Sequence, residues 1–493
     1  MDLPLISRAQ ENPEKIAIVT PENAFTYGDL LEISRQIATC LLSNSQDLQE
    51  QRVAFAIPSG FEYVAVQWGV WRAGGIAVPL CTSHPRPELE HVIYDSQASI
   101  IIAHPNFEPI LLSIAQEKGC RFLLTTEILS TQETSLPEIS SDRRALILYT
   151  SGTTGKPKGV VTTHQNIQAQ VTSLIDAWGW TSDDKILHVL PLHHIHGIIN
   201  LLTCALWSGA QCHILPKFDA EAVWTRIGQG NLTLFMAVPT IYVKLITAWE
   251  TLPPEQQKAL SKACSQLRLM VSGSAALPLQ VLKKWQDISG HFLLERYGMT
   301  EIGMALSNPL NGQRMAGYVG QLLPGVEVRL VDEQGQLVPS GTPGEIQVKS
   351  PGVFLEYWQK PEATAKAFQD GWFCTGDLAV VEQGNYRILG RLSVDIIKTG
   401  GYKVSALEIE ETLRTHPDIK DCAVVGVEDE EWGQRVCGAL VLHIGSHLTL
   451  ESLRNWAKER LAVYKIPTKI VTLDDLPRNA MGKVTKPKVV ELF

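Results

Sequence analysis

The sequence is poor in the devices that hold small secreted or metal-stapled proteins together. Its nine cysteines are odd in number, run from Cys40 to Cys437, and form no Cys-x-x-Cys pair. That pattern supports neither a disulfide framework nor a zinc module, and a reducing compartment fits it best. Long apolar runs are missing as well. The most apolar stretch, residues 198–207, is about half of the ~20 residues a spanning helix needs, so no membrane span is expected. The start, Met1-Asp-Leu-Pro-Leu, has no basic segment leading into an apolar one and no arginine-rich, acid-poor character. The expectation is a cytoplasmic protein. Excess positive charge is absent: 43 Lys and Arg face 52 Asp and Glu, a formal net charge of -9. Nucleic acid is therefore not expected as a partner, although a local cationic site can still take a small anion. Internal repeats, low-complexity tracts and long linkers are lacking; the sequence does not give the oligomeric state, and a monomer is compatible with it.

What is present is a chain of 493 residues, too long for one ordinary core. Residues 16–19 and 53–57 are short apolar or β-branched runs, while Leu30, Leu31, Ile33, Ile37, Ala38, Leu41 and Leu42 have helical spacing. Residues 73–80 and 100–102 read as buried strands closed by turn residues, and the alternation continues through residues 145–149, 187–190 and 267–271. This predicts an α/β architecture with largely parallel sheets. After about Gly320 the character changes. Short strands at residues 326–331, 344–349 and 386–389 sit among Gly and Pro turns and predict a β-rich layer. From Ser393 a small α+β unit is expected: helix 406–415, strands 422–427 and 437–443, helix 450–461. The predicted organisation is a large multi-layered domain over 1–390, a joint at 391–393 and a small mobile domain over 394–493.

The segment Leu148-Tyr-Thr-Ser-Gly-Thr-Thr-Gly-Lys-Pro-Lys-Gly-Val160 follows a strand and gathers glycines, hydroxyls and two lysines. Glycine lets backbone N–H groups turn toward a ligand, and hydroxyls and lysines add donors, which is the chemistry of a phosphate cradle. It is not a Walker loop: two residues, not four, separate Gly152 from Gly155, and Lys156 precedes Pro157, which obstructs a following helix. A plain hairpin tip would not need that density of donors. Seven more segments follow in order: Leu190-Pro-Leu-His-His-Ile-His-Gly197, Ser272-Gly-Ser-Ala-Ala-Leu277, Tyr297-Gly-Met-Thr-Glu301, Thr375-Gly-Asp377, Gly390-Arg391, Lys398-Thr-Gly-Gly-Tyr-Lys-Val-Ser405 and Asn479-Ala-Met-Gly-Lys483. With Thr150-Ser-Gly-Thr-Thr-Gly-Lys-Pro-Lys158 at their head, they resemble the signature of the adenylate-forming superfamily of acyl-CoA synthetases, peptide-synthetase adenylation domains and firefly-type luciferases. The resemblance covers essentially the whole chain.

The resemblance implies two half-reactions. A carboxylate attacks the α-phosphate of ATP and releases pyrophosphate. The thiol of CoA then attacks the acyl carbon of the adenylate and AMP leaves. It also implies roles. Thr150, Ser151, Gly152, Thr153, Thr154, Gly155, Lys156, Pro157 and Lys158 would cradle phosphates, with Ser274, Gly298 and Met299 also in the nucleotide site. Tyr297 would stack on adenine, Thr300 would donate to the α-phosphate, and Asp377 and Arg391 would meet the ribose. Glu301 would ligate Mg²⁺, a hard cation that prefers carboxylate and phosphate oxygen. Lys483 would bridge carboxylate and α-phosphate during adenylation, offsetting charge as the transition state forms. His194 would gate the adenylate, and Gly400, Gly401 and Lys403 would meet CoA. Ser393 stands at the pivot, where the family often has Asp or Lys, so charge-based pivot contacts are in doubt. Lys244 and Lys403 could touch CoA phosphates, but the ordinary solvated lysine is the favoured reading of each.

The acid is suggested by Arg296, which precedes Tyr297. An arginine at the bottom of that cleft can hold a second carboxylate as a charge-assisted pair, whereas a monoacid would leave it unsatisfied. His196, Ser274, Arg296 and Met304 are the expected substrate contacts. The run Glu295-Arg-Tyr-Gly-Met-Thr-Glu-Ile-Gly-Met304 and the two His- and Ser-bearing segments closely resemble malonyl-CoA synthetases. Malonate is the expected substrate, and methylmalonate differs by one methyl, worth only ~1–3 kcal/mol of discrimination. A zinc site at His193, His194 and His196 lacks a suitably spaced third ligand type. The rival readings are a ligase for another acid such as acetate or a fatty acid, a stand-alone adenylation enzyme that loads a carrier protein, and a catalytically silent nucleotide-binding protein.

Overall fold

A computed structural model of the chain describes residues 3–129, 135–150, 157–400, 402–479 and 482–493. The fold is α/β, with a large N-terminal and a smaller C-terminal part. Two compact units form. The first comprises Met1–Met315, Gln321–Glu327 and Val348–Phe373, and the second Ala316–Gly320, Val328–Gln347 and Cys374–Phe493. The compact packing thus divides the chain at a different place from the joint expected at 391–393. The reason is pairing: Trp372–Glu382 and Asn385–Arg391 form a hairpin that joins Glu327–Val331 and Gly344–Lys349 in one sheet. The β-rich layer expected after Gly320 is largely this sheet.

The first unit holds two sheets. A seven-stranded sheet runs in the order Glu356–Tyr357, Lys158–Thr163, Arg144–Thr150, Ile76–Pro79, Arg52–Ala56, Ile100–Ala103, Arg121–Leu124. Its last five strands are parallel, and its first two pairings are antiparallel. A nine-stranded sheet is parallel in its centre and antiparallel at both ends, Ala24–Thr26 closing one of them against Ile16–Val19. Five neighbouring pairs in its centre are parallel, from Ile16–Val19 through Gln211–Ile214, Lys185–His188, Leu234–Ala237 and Leu269–Ser272 to Leu294–Met299. The pairing then turns antiparallel through Gly303–Ser307 and Gln321–Leu322. Strands such as Ile100–Ala103 and Leu234–Ala237 are apolar and buried on both faces, as strands covered on both sides must be.

Helices are placed by local signals. Thr26 caps Tyr27–Leu42 and closes a reciprocal capping box with Asp29. Phe61–Arg72 has Tyr63 through Trp71 all buried, so amphipathic spacing gives way to full burial. Its Gly69 lies against Ile37, where a Cβ would come within 2.5 Å, so glycine sets the close approach of these two helices. Residues 198–207, the apolar stretch, form a π-helix His196–Thr203 running into Cys204–Trp207. Among the described residues no helix is long and apolar enough to cross a membrane.

In the second unit Ile419–Asp429 and Gly433–Leu442 make a long antiparallel hairpin, with Ile396–Thr399, Tyr402–Ser405 and Lys469–Thr472 completing a five-stranded sheet. Helices Ala406–Leu413 and Leu450–Ala457 bury Ile409, Leu413 and Leu453 on one face of it.

Candidate active site

In the first unit the expected residues collect where parallel pairing turns antiparallel. Arg296, Tyr297, Gly298 and Met299 lie on Leu294–Met299, the last parallel strand, and Thr300 and Glu301 form the turn into the antiparallel Gly303–Ser307. Gly298 faces Met304 across that hairpin, and a Cβ there would meet the Met304 Cε at 2.3 Å, so glycine lets the buried Met304 fold over the strand.

Arg296 is 4% exposed. Among the described residues no carboxylate pairs with it. Its terminal nitrogen donates to Ser274 Oγ at 3.4 Å, and its Nε is buried with no acceptor. Burial alone pushes the guanidinium down to about 9, which leaves it charged at neutral pH. The neighbouring loop is shaped around it. A Cβ on Gly273 would fall 2.4 Å from the guanidinium carbon, and Ser274 is held at φ 68, in the left-handed region that a non-glycine residue rarely adopts.

Ser274 Oγ also lies 3.2 Å from His196 Nδ1. Since Oγ accepts from Arg296, its own proton is free to go to Nδ1, which places the imidazole proton on Nε2. His196 is neutral: burial, with Arg296 next, drives it well below the ordinary histidine range. Among the described residues its Nε2 is buried without a partner, as are Ser272 Oγ and both amide atoms of Asn200. The chain Arg296–Ser274–His196 therefore ends in two unsatisfied N–H donors, the complement of an acceptor-only group such as a carboxylate.

His194 is half-buried and is pushed down to about 3 by burial, with His193 and His84 adding to it. Its ring lies 4.4 Å from that of His193. Among the described residues no three His, Cys, Asp or Glu side chains gather as a metal-binding group.

Of the phosphate loop, Ser151, Gly152, Thr153, Thr154, Gly155 and Lys156 lie outside the described residues, as does Gly401. The flanks are paired in antiparallel register, Thr150 opposite Lys158. Lys158 Nζ stands 4.9 Å over the ring of Tyr357, and the Tyr357 hydroxyl donates to Glu301 Oε1 at 2.9 Å. Tyr357 thus joins the end of the loop to the expected Mg²⁺ carboxylate, which is 6% exposed. Sequence reading missed Tyr357, Ser272 and Asn200. The first is one aromatic among many, and the other two matter only through the tertiary burial that leaves them unpaired. Lys244 is exposed, 5.7 Å from the Phe218 ring.

The second unit carries the rest. Asp377 and Arg391 are cross-strand partners, 2.8 Å apart at the closest. Ser393 lies in the turn that follows, where Asp395 accepts from the Arg391 N–H at 3.0 Å. Gly400 has φ 54 and packs at 3.0 Å, through a would-be Cβ, on the Trp432 ring. Lys403 is paired with Glu333 at 2.6 Å. Lys483 is exposed on a hairpin, its N–H donating to Asn479 Oδ1 at 3.0 Å.

Residues 5–358 match the AMP-binding enzyme family and residues 408–483 its C-terminal domain. The mitochondrial malonate–CoA ligase of Xenopus laevis is 46% identical, over 100% of this chain and 92% of its own. The corresponding Homo sapiens protein is 46% identical, over 99% and 92%. The ATP-bound crystal structure of MatB from Rhodopseudomonas palustris superposes with a TM-score of 0.92 at 33% identity, covering 100% of this chain and 99% of that one. The chain belongs to the AMP-binding enzyme family, among its malonyl-CoA-synthetase-like acyl-CoA synthetases.

Proposed function

We propose that the protein ligates malonate to CoA at the expense of ATP, through a malonyl-adenylate, releasing pyrophosphate and AMP. The observation that carries the choice of acid is the buried Arg296, charged and without a carboxylate partner. An uncompensated buried cation costs several kcal/mol and is kept where a ligand completes it. One malonate carboxylate pairs with Arg296 and accepts from His196 Nε2. The other, one carbon away, is left to attack the α-phosphorus. Methylmalonate adds a methyl and remains within the proposal; monoacids leave Arg296 unpaired.

The residue roles are part of the same reading. Thr300, the loop 150–158, Ser274, Tyr297, Gly298 and Met299 hold ATP, and Asp377 and Arg391 the ribose. Glu301 is a buried hard-oxygen donor steadied by Tyr357, a fit for Mg²⁺, and the ion when bound neutralises phosphate charge. Lys483 offsets charge on the carboxylate and α-phosphate in adenylation, and His194, kept neutral, gates the acyl site without adding charge. Gly400, Gly401 and Lys403 meet CoA after a rotation at 391–393, with Ser393 as pivot, between domains 1–390 and 394–493. The proposed location is cytoplasmic, although the animal relatives are named mitochondrial.

The test is CoA-dependent AMP formation with malonate, methylmalonate, succinate, acetate and octanoate. Preference for malonate supports the proposal. A monoacid preference sinks the choice of acid and leaves the adenylate chemistry standing; pyrophosphate release with malonate but no AMP formation that depends on CoA favours carrier loading instead.

A further inference from the structure

The second unit contains a line of buried and half-buried charges that none of the roles above uses. Lys486, three residues beyond Lys483, begins the short helix Lys486–Val490 and is 8% exposed. Its Nζ lies 2.6 Å from Asp395 Oδ1 and 2.8 Å from Glu410 Oε1. Asp395 belongs to the turn after Arg391 and accepts from the Arg391 N–H through its other oxygen. That turn is further pinned by the Leu392 N–H donating to the Gly376 carbonyl at 2.8 Å. Gly390 leaves room for it, since a Cβ there would sit 2.5 Å from the Asp395 Cβ.

From Glu410, itself 4% exposed, the line continues outward. Its second oxygen meets Arg414 at 3.5 Å, Arg414 meets Asp421 at 3.5 Å, and Asp421 meets Arg478 at 2.5 Å. Arg478 then donates to the carbonyl of Gly482, the residue before Lys483, at 2.9 Å. On the other flank the Thr485 N–H donates to the Pro477 carbonyl at 2.8 Å, and Val489 anchors the helix in the core. The hairpin bearing Lys483 is thus held at both ends by one ion network whose far end is the 391–395 turn.

A buried lysine between two carboxylates is a poor way to gain stability, because desolvation consumes most of the attraction. It is a good way to fix a register, since each of its partners is costly to leave unpaired. We infer that Lys486 is a positioning residue for Lys483: by clamping Asp395 and Glu410 it sets where the hairpin stands relative to the turn at the domain joint. The inference rests on the proposed role of Lys483 in adenylation. Lys486 itself touches no reacting atom. Burial lowers its tendency to hold a proton, but Glu410 and Asp395 outweigh burial, so it stays charged across the working pH range.

The test separates the two half-reactions in the full-length protein. Adenylation is followed as pyrophosphate release from ATP-Mg and malonate without CoA, and thioester formation as consumption of supplied malonyl-adenylate by CoA. Lys486→Met should slow adenylation at least ~10-fold, because misplacement of a catalytic group by about 1 Å can cost ~10²-fold. Thioester formation should stay within about threefold of the native protein, since Lys483 takes no part in it. Arg478→Gln, at the better-solvated end of the line, should show the same split in smaller degree, and it keeps the test alive if Lys486→Met does not fold. Equal slowing of both half-reactions in a folded variant, or no slowing of either, overturns the inference. Lys483→Ala serves as the reference: if it still forms adenylate at the native rate, the underlying role of Lys483 has failed, and the inference with it. If it loses adenylation while Lys486→Met and Arg478→Gln do not, only the inference has failed.

Discussion

Replacing Arg296 by Met should make the free protein more stable and the enzyme far worse with malonate. In the free protein the guanidinium is buried with no carboxylate partner among the described residues, and burial lowers it from 12.5 to about 9. At about 1.4 kcal/mol per pKa unit, that drop corresponds to roughly 5 kcal/mol of unfavourable burial, an upper bound because water and relaxation soften it. Methionine is unbranched, close in length and apolar, so it removes the charge and fills much of the space. It also leaves Ser274 Oγ with His196 as partner, so no new orphan hydroxyl is created.

The functional loss follows from the same quantity with opposite sign. Burying a malonate carboxylate against an apolar side chain leaves that charge unpaired, a cost of ~3–5 kcal/mol, or roughly 10²- to 10⁴-fold in kcat/KM. Acetate has no second carboxylate, so its kcat/KM should change little and the malonate-to-acetate ratio should collapse. The assay is AMP formation with both acids, paired with thermal melts with and without malonate. The native protein should be stabilised by malonate as a ligand of the folded state, and the variant should not. Malonate kcat/KM within tenfold of native, or an equal fall for acetate, would refute the reasoning.

Three further outcomes follow from particular contacts. Tyr357→Phe deletes the hydroxyl that donates to Glu301, so the magnesium concentration needed for half-maximal rate should rise about 10-fold, a typical loss for an outer-shell partner, with malonate KM little changed in a Mg²⁺ titration. Gly273→Ala puts a Cβ 2.4 Å from the Arg296 guanidinium carbon, so malonate turnover should fall by at least ~10-fold while the ATP KM stays near native. His188 is buried and held near 4, below its unfolded value of about 6.5, so the unfolded chain binds the extra proton. Its contribution is therefore intact above about pH 6.5 and is lost as pH falls toward 4, at about 1.4 kcal/mol per pH unit. His188→Gln, which can still donate to the Gly197 carbonyl, should flatten the fall in urea-unfolding stability between pH 6.5 and 4.5.

Much of this was legible in the sequence, for physical reasons. Short β-branched runs between amphipathic helices fix an α/β plan, and strands such as residues 16–19, 344–349 and 422–427 lie within or on those of the structure. The site segments could be found because their chemistry is local: glycines beside hydroxyls and lysines, or an acid in a turn. Arg296 stood out because it adjoins Tyr297-Gly-Met-Thr, a segment the family resemblance puts at the bottom of the active cleft. What could not be read was pairwise burial. Nothing in Glu356-Tyr-Trp says that Tyr357 bonds Glu301, 56 residues away, and nothing near Lys486 points to Glu410. The π-helical form of His196–Thr203 was equally hidden, since an apolar run of that length reads the same as ordinary helix or strand.

The hydroxyl of Ser274 decides how the pocket presents its donors, and this can be tested apart from Arg296. Because Oγ accepts from Arg296, its proton faces His196 Nδ1 and commits the imidazole proton to Nε2, outward and unpaired. Ser274→Ala removes that constraint without changing the backbone problem, as alanine and serine bear the φ of 68 at similar cost, whereas β-branched threonine would add strain. Nδ1 is then left without a donor, and the tautomer with its proton there becomes as available as the other. The tautomer that donates from Nε2 then falls from nearly all of the population to about half, so the malonate KM should rise about 2-fold with Arg296 still in place. Acetate KM should be unmoved, because its only carboxylate goes to the α-phosphate. A rise in acetate KM equal to that for malonate would mean that Ser274 serves the nucleotide end of the site, and the donor pair at Arg296 and His196 would lose its role in choosing the acid.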